Sequence, residues 1–312
     1  MSEFCLIAQH FAAATAQHCD TVVGIGDDAA ISQPPVSCQL VSCLDTLVAG
    51  RHFPLSTSAF AIGWKSVAVN LSDLAAMGAT PYAILLGISL PSADEVWLGE
   101  FSRGLGAVCQ RFGVQLIGGD TTKSDTLTIS VTALGWVPNG QAICRRGAQV
   151  GDVVCVSGNI GSASFALQQV LRNASSDLQE ALDLPVPHVA LGQALRGFAS
   201  SMIDVSDGLA QDLGHILAAS AVGARLNLAA IPSHLRLQHL PNAEKWQHQL
   251  NGGDDYQLCF TIARDKLAEF EQMHSELSQH IYPIGEIIAG SAMQLFDGQT
   301  RVHLTTQGYQ HF

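Results

Sequence analysis

The sequence predicts a mixed α/β protein, and three observations carry that expectation. Its 312 residues, at roughly 150 per domain, correspond to about two domains. Short runs of β-type residues alternate with longer segments of helical periodicity. The chain is 47% hydrophobic and only 13% charged, so it can bury a large core rather than stay disordered.

The elements follow in order. Residues 1–16 read as a short amphipathic helix. β-type runs occur at 39–44, 83–90, 115–117, 127–136 and 152–157. Between them, 58–77 is the clearest helix, with Ile62, Val67, Val69, Leu71 and Leu74 at helical spacing. A second helix is expected over 95–112, where Gly113 suits a helix stop. The pattern breaks at Pro138-Asn139-Gly140 and resumes as a strand after Gly151. This places an N-terminal domain at 1–137, a linker at 138–150 and a C-terminal α/β domain at 151–312. In the latter, 165–171 and 209–219 read as helices, 256–262 and 292–296 as strands, and 173–183 as a polar surface loop.

Composition excludes several functions. The formal net charge is −12, which argues against a nucleic-acid binder or an anionic membrane surface as partner. No apolar run approaches the roughly 18 residues that span a bilayer. The N-terminus carries Glu3 and no basic residue, a poor signal peptide. Eight cysteines are scattered without a C-x-x-C pair, so free thiols and a cytoplasmic location are expected. Twelve histidines show no H-E-x-x-H or other ligand-spaced pair, which argues against zinc.

Because charge is scarce, its placement is informative. Five apolar, strand-like runs end in Gly or Ser plus Asp: at Gly26-Asp27-Asp28, Ser42-Cys43-Leu44-Asp45, Gly118-Gly119-Asp120, Asp204-Val205-Ser206-Asp207 and Gly252-Gly253-Asp254-Asp255. A sixth carboxylate, Asp73, interrupts the most apolar helix, on the face of Asn70. Any one of these fits a turn or a cap. Together they would repel unless positive charge lay among them: Lys65, an Arg or a metal for Asp73, and a hard divalent cation such as Mg²⁺ or Ca²⁺ for the set. Mg²⁺ commonly joins protein carboxylates to substrate phosphates, and the flanking glycines let backbone N–H groups approach phosphate oxygens. The P-loop, the dinucleotide fingerprint and the protein-kinase signatures are missing. Gly158-Asn159-Ile160-Gly161-Ser162-Ala163 precedes a helix and offers either a phosphate seat or a plain turn.

Six blocks carry a resemblance. Gly24-Ile25-Gly26-Asp27-Asp28-Ala29-Ala30, Asp45-Thr46-Leu47-Val48-Ala49-Gly50-Arg51-His52-Phe53, Asn70-Leu71-Ser72-Asp73-Leu74-Ala75-Ala76-Met77-Gly78, Gly118-Gly119-Asp120-Thr121-Thr122, Asp204-Val205-Ser206-Asp207-Gly208-Leu209 and Gly252-Gly253-Asp254-Asp255-Tyr256 occur in this order along nearly the whole chain. This resembles the thiamine-monophosphate kinase family, within a superfamily shared with aminoimidazole ribonucleotide synthetase, selenophosphate synthetase and hydrogenase-maturation proteins. The resemblance implies ATP-dependent phosphorylation of thiamine monophosphate to thiamine diphosphate. It implies a homodimer whose N-terminal sheets pair into a β-barrel, with an α/β domain beside each. It also implies several Mg²⁺ ions, with Asp28, Asp45, Asp73, Asp120 and Asp204 as ligands and Asp207 as a further one. Gly119, Asp120, Arg145 and Ser206 match ATP-contacting positions, and His52 a thiamine-phosphate contact.

Four positions depart from the family pattern. Cys43 and Leu44 replace Ser-Thr before Asp45, so any metal contact there falls to their backbone carbonyls. Asp254 is one methylene shorter than the usual Glu at a substrate-binding position. Thr306 stands where the family commonly has an aromatic residue against the substrate. A selenophosphate synthetase would need a reactive N-terminal cysteine in a Gly-rich loop, a setting that Cys5 and Cys19 lack. A purely cation-binding scaffold would be expected to show EF-hand spacing, which is absent.

Overall fold

The computed structural model describes residues 7–305 and Gly308. It divides into two compact units, one of residues up to Leu74 plus Ala79–Gly140, the other of Ala75–Gly78 plus residues from Gln141 onward.

Among the described residues the first unit opens with a π-helical turn, Ile7–Phe11, so the helix expected to reach residue 16 ends at Phe11. The Leu116 N–H donates to Thr15 Oγ1 at 2.8 Å, which ties the chain to a strand before a longer helix can form. Then come β1 (Thr21–Val23), β2 (Ile31–Ser32), β3 (Cys38–Val48), α1 (Ala59–Ala76), β4 (Thr80–Leu90), α2 (Glu95–Phe112), β5 (Gln115–Lys123) and β6 (Thr128–Pro138). α2 begins at Asp94, whose carboxylate accepts the N–H groups of Val96 and Trp97, and ends at the left-handed Gly113. The main sheet has strand order β3-β6-β4-β5, antiparallel except for the β4–β5 pair.

Residues opposite one another form rows across this sheet. One row is Asp45–Val131–Leu86–Gly119, and the next is Thr46–Ser130–Gly87–Asp120. Side chains alternate between faces along each strand. Leu47, Leu86, Ile88, Ile129 and Val131 are buried on one face. Leu40, Leu44 and Leu85 are exposed on the other, beside Thr46 and Thr132.

The second unit contains β7 (Val153–Val156), α3 (Ser162–Leu171), β8 (Ala199–Val205), α4 (Leu209–Ser220), β9 (Gly223–Asn227), α5 (Asn242–Asn251), β10 (Gln257–Ile262), α6 (Arg264–Met273), β11 (Tyr282–Ile288), β12 (Met293–Asp297) and β13 (Thr300–Val302), with shorter helices between. Its sheet runs β13-β12-β9-β11-β7-β10-β8. Val154, Val156, Ile203, Val205, Leu209, Leu213 and Leu226 are among the apolar residues of its core. The segment read as a polar loop at 173–183 holds a short helix, Gln179–Asp183. Leu178 and Leu182 turn inward there and pack with Ala163 and Ala166 of α3. Two leucines in a polar stretch suffice because burial, not propensity, holds so short a helix.

Candidate functional site

The aspartates read as strand-end residues are placed differently by the fold. Asp45 lies inside β3, Asp120 inside β5 and Asp204 inside β8. Strand length follows cross-strand pairing, so β3 and β5 continue past the points where the apolar runs stop.

In the first unit, β3 and α1 bring Cys43, Asp45 and Asp73 together. The buried Asn70 makes the joint: its Oδ1 accepts the Asp45 N–H at 3.0 Å and its Nδ2 donates to the Ser66 carbonyl at 3.0 Å. The Cys43 thiol donates to the Asn70 carbonyl at 3.3 Å. Burial raises the Cys43 pKa, and the nearby charges of Asp73 and Asp45 raise it further. The thiol therefore stays protonated in the metal-free chain, and a hard cation would favour the Cys43 carbonyl oxygen over the sulfur.

Asp120 is exposed and stands on β5, three strands from β3. At about 4.8 Å per strand this is about 14 Å along the sheet. Two ligands of one Mg²⁺ at about 2.1 Å cannot lie so far apart, so within one chain Asp45 and Asp120 would serve different ions. Gly119 is required by its neighbour, since a Cβ there would stand 2.0 Å from the Leu86 carbonyl oxygen. Asp28 is exposed in the turn after β1, where its N–H donates to Asp27 Oδ1 at 2.8 Å. His52 Nδ1 accepts the Val48 N–H at 3.0 Å, which puts the proton of the neutral ring on Nε2.

In the second unit, the turn after β8 gathers Asp204, Ser206 and Asp207 around a residue that the sequence reading missed. Asp212 Oδ2, in the first turn of α4, accepts the N–H groups of Ser206, Asp207 and Gly208 at 3.0, 3.1 and 3.1 Å. Its pKa is pushed up to about 7, by burial first and then by the charges of Asp204 and Asp207. The loop 252–256 is laced to this turn: the Asp254 N–H donates to the Ser206 carbonyl and the Tyr256 N–H to the Val205 carbonyl, both at 2.8 Å. A Cβ on Gly253 would lie 2.1 Å from the Ser206 carbonyl oxygen, so only glycine permits this approach. The Asp254 Oδ1 accepts the Tyr256 hydroxyl at 3.0 Å.

Asp255, singled out in the sequence with Asp254 but given no role, is a further buried carboxyl here. Its buried carboxylate accepts Gly161 N–H at 2.6 Å and Ala163 N–H at 3.3 Å, and burial pushes its pKa up to about 7. It thus occupies the N-terminus of α3, the place where the 158–163 loop had offered a phosphate seat. Asp255 had no local signature beyond its place in an Asp-rich block, and Asp212 stands outside those blocks.

Arg145 is exposed, and its carbonyl accepts the Ser220 hydroxyl at 3.4 Å. The C-terminal strand leads toward this region: the Asn251 side chain donates to the Thr305 carbonyl at 3.1 Å, and Gly308 packs against Asp207 and Gln211. Thr306 lies outside the described residues.

Each unit therefore sets carboxylates near one another, Asp73 and Asp45 beside Cys43 in one and Asp204 and Asp207 beside Asp212 in the other. Oxygen donors in excess of cations fit hard divalent ions. Among the described residues of either unit, no three of these aspartates bring their oxygens within 4.8 Å of one another. Among the described residues no helix is long and apolar enough to cross a membrane, and seven cysteines are free.

Comparison with known proteins shows the family of the chain. Residues 26–137 match the family described as AIR synthase related protein, N-terminal domain, and residues 149–298 its C-terminal domain. The thiamine-monophosphate kinase of Haemophilus influenzae is 40% identical over 100% of this chain and 98% of its own length. The crystal structure of the Stenotrophomonas maltophilia K279a enzyme of that name superposes with a TM-score of 0.87 at 43% identity, covering 95% of this chain and 96% of that one. AaThiL, solved in complex with AMPPCP and TMP, gives a TM-score of 0.77 at 29% identity over 92% of each chain. With full-length identity at this level, the chain belongs to the thiamine-monophosphate kinase family.

Proposed function

We propose that the chain transfers the γ-phosphoryl group of ATP to thiamine monophosphate, giving thiamine diphosphate and ADP. The observation that carries this reading is full-length likeness to kinases of that name, together with a relative that binds AMPPCP and TMP. A phosphate oxygen of thiamine monophosphate attacks the γ-phosphorus in line. One P–O bond forms as the bond to the β-phosphate bridging oxygen breaks. The acceptor phosphate has a second pKa of about 6 and is already an anion at neutral pH, so no side chain is assigned as general base. The obstacle is repulsion between two anions, and Mg²⁺, when bound, neutralises part of that charge.

The chain's own residues divide the remaining work. Asp28, Asp45, Asp73, Asp120 and Asp204 would hold the ions, with Asp207 as a further ligand and the carbonyls of Cys43 and Leu44 contributing from β3. The edge position of β3, paired with β6 on one side, supports such a contact from Cys43, whose carbonyl points away from β6, as the Asp45 N–H does. Gly119, Asp120, Arg145 and Ser206 would contact ATP. His52, with its proton on Nε2, is suited to donate to the substrate phosphate. Asp254, and Thr306 beyond the described residues, complete the substrate assignment.

We also infer a homodimer in which the four-stranded sheets pair face to face into a barrel. The exposed Leu40, Leu44 and Leu85 on the open face support it, because apolar residues standing together on a sheet face gain by being covered. Residues 1–137 would form the ATP-, Mg²⁺- and dimer-binding part, 138–150 the linker and 151–312 the second domain, in an enzyme of the cytoplasm. The deciding experiment is mass-spectrometric detection of thiamine diphosphate from thiamine monophosphate, ATP and Mg²⁺, with EDTA as control. Turnover of aminoimidazole ribonucleotide precursors instead would place the chain with another branch of the superfamily.

A further inference from the structure

Among the described residues, one trio of side chains brings nitrogen, sulfur and oxygen ligand atoms within 4.8 Å of one another: His18, Cys19 and Asp20. The trio lies in the turn before β1 and includes none of the residues assigned above. Its three separations are 3.8 Å from Cys19 Sγ to His18 Nδ1, 3.7 Å from His18 Nδ1 to Asp20 Oδ2 and 3.6 Å from Cys19 Sγ to Asp20 Oδ1. A tetrahedral Zn²⁺, with bonds of about 2.3 Å to sulfur and about 2.0–2.1 Å to nitrogen and oxygen, holds its ligands about 3.3–3.6 Å apart. The sides of 3.7 and 3.6 Å end on different oxygens of Asp20, so one oxygen meets both partners once the carboxylate turns, and the ligand atoms as they stand lie within 4.8 Å of one another.

Other groups hold the trio in place. The Trp136 indole N–H donates to Asp20 Oδ2 at 3.0 Å, leaving Oδ1 toward the thiol. The His18 N–H donates to Gln115 Oε1 at 2.7 Å, and the ring meets Tyr82 edge-on at 5.9 Å. His18 Nδ1 accepts the Asp20 N–H at 3.1 Å, so its one lone pair is engaged and a cation binds there by displacing that N–H. A cation would take over that lone pair. Cys19 is exposed and open to approach.

We propose that His18 Nδ1, Cys19 Sγ and the Asp20 carboxylate form a site for a thiophilic divalent cation, Zn²⁺ by its donor set, with the fourth position open to solvent. On binding, the S–H bond breaks, its proton passes to water and the sulfur–metal bond forms, so uptake rises with pH. The donors are softer than the all-oxygen aspartate sets, so this site discriminates against Mg²⁺. Adjacent residues seldom aim at one point, and for that reason His-Cys-Asp carries no motif in the sequence.

The test titrates metal-free full-length protein with Co²⁺. We expect one equivalent to give thiolate-to-cobalt charge-transfer absorption and tetrahedral ligand-field bands, both displaced by Zn²⁺ and indifferent to Mg²⁺. Cys19→Ser abolishes the charge-transfer band, and Cys43→Ser keeps it. His18→Gln and Asp20→Asn weaken binding at least about tenfold, and Trp136→Phe, which removes the N–H behind the carboxylate, weakens it about 10–100-fold. A wild-type protein without the charge-transfer band, or a band that survives Cys19→Ser, overturns the site.

Discussion

The aspartates of the two units look alike in the sequence and do different work in the fold. In the first unit, Asp28 and Asp120 are exposed, and the backbone around Asp45 is fixed by a neutral amide, Asn70. In the second, Asp212 and Asp255 are buried and spend their oxygens on backbone N–H groups, three for one and two for the other. The first arrangement leaves carboxylates to meet a ligand. The second uses carboxylates to shape the turns that carry Asp204, Ser206, Asp207 and Asp254. An Asp beside glycine is therefore ambiguous until its burial and its donors are known.

The sharpest way to break this contrast is to remove one charge from each kind. Asp120→Asn should lower kcat about a hundred- to a thousandfold, the usual loss when one group that stabilises developing charge is removed. Because Asp120 is exposed, stability should change by no more than about 0.5 kcal/mol. Steady-state ADP release and thermal melts check both halves, and undiminished turnover refutes the assignment. Asp255→Ala should show the reverse emphasis. It leaves the Gly161 and Ala163 N–H groups without their acceptor and should destabilise the fold by about 3 kcal/mol. Asp255→Asn, which keeps an acceptor, should cost about 1 kcal/mol, measured by urea unfolding.

The buried carboxyls also predict a pH dependence that the exposed ones do not. Asp212 and Asp255 have folded-state pKa values raised from 3.8 to about 7. Between those values the folded chain binds more protons than the unfolded chain. Stability is therefore fully present below about pH 4 for these groups and declines as pH rises toward 7. The slope is up to about 1.4 kcal/mol per pH unit for each group. In metal-free protein, urea midpoints at pH 5 and pH 8 should differ in this sense, and Asp212→Asn should shrink the difference. An Asp212→Asn profile identical to wild type would remove that residue from the account.

The sequence was most legible where the determinants are local. The α2 helix is readable at both ends, from its periodicity and from Gly113, and Asp94 supplies the cap at its start. The length of β5 was not readable, because Gly118-Gly119-Asp120 has low strand propensity and the strand continues through it by pairing with β4. The candidate ligands Asp45, Asp73 and Asp204 were picked out by charge in apolar surroundings. Asp212 was not, since an acidic residue in the first turn of a helix is commonplace. Its significance lies in three N–H groups contributed by a turn several residues back, a relation that only the folded chain makes visible.

The smallest expected effect is also the most discriminating about Cys43. Its thiol is held protonated by burial and by Asp73 and Asp45, and it donates to the Asn70 carbonyl. If the side chain acts only as a weak donor, a hydroxyl serves as well. Cys43→Ser should then change stability by no more than about 1 kcal/mol. It should change kcat by no more than about threefold, since loss of one neutral contact is worth under about 1 kcal/mol. Were the sulfur a metal ligand, Cys43→Ser would cut Mg²⁺-dependent turnover far more and turnover with a thiophilic ion such as Cd²⁺ more still. The ratio of the two activities, Cd²⁺ over Mg²⁺, separates the cases: unchanged by the substitution if only the backbone of Cys43 meets the cation, lowered if the thiolate does.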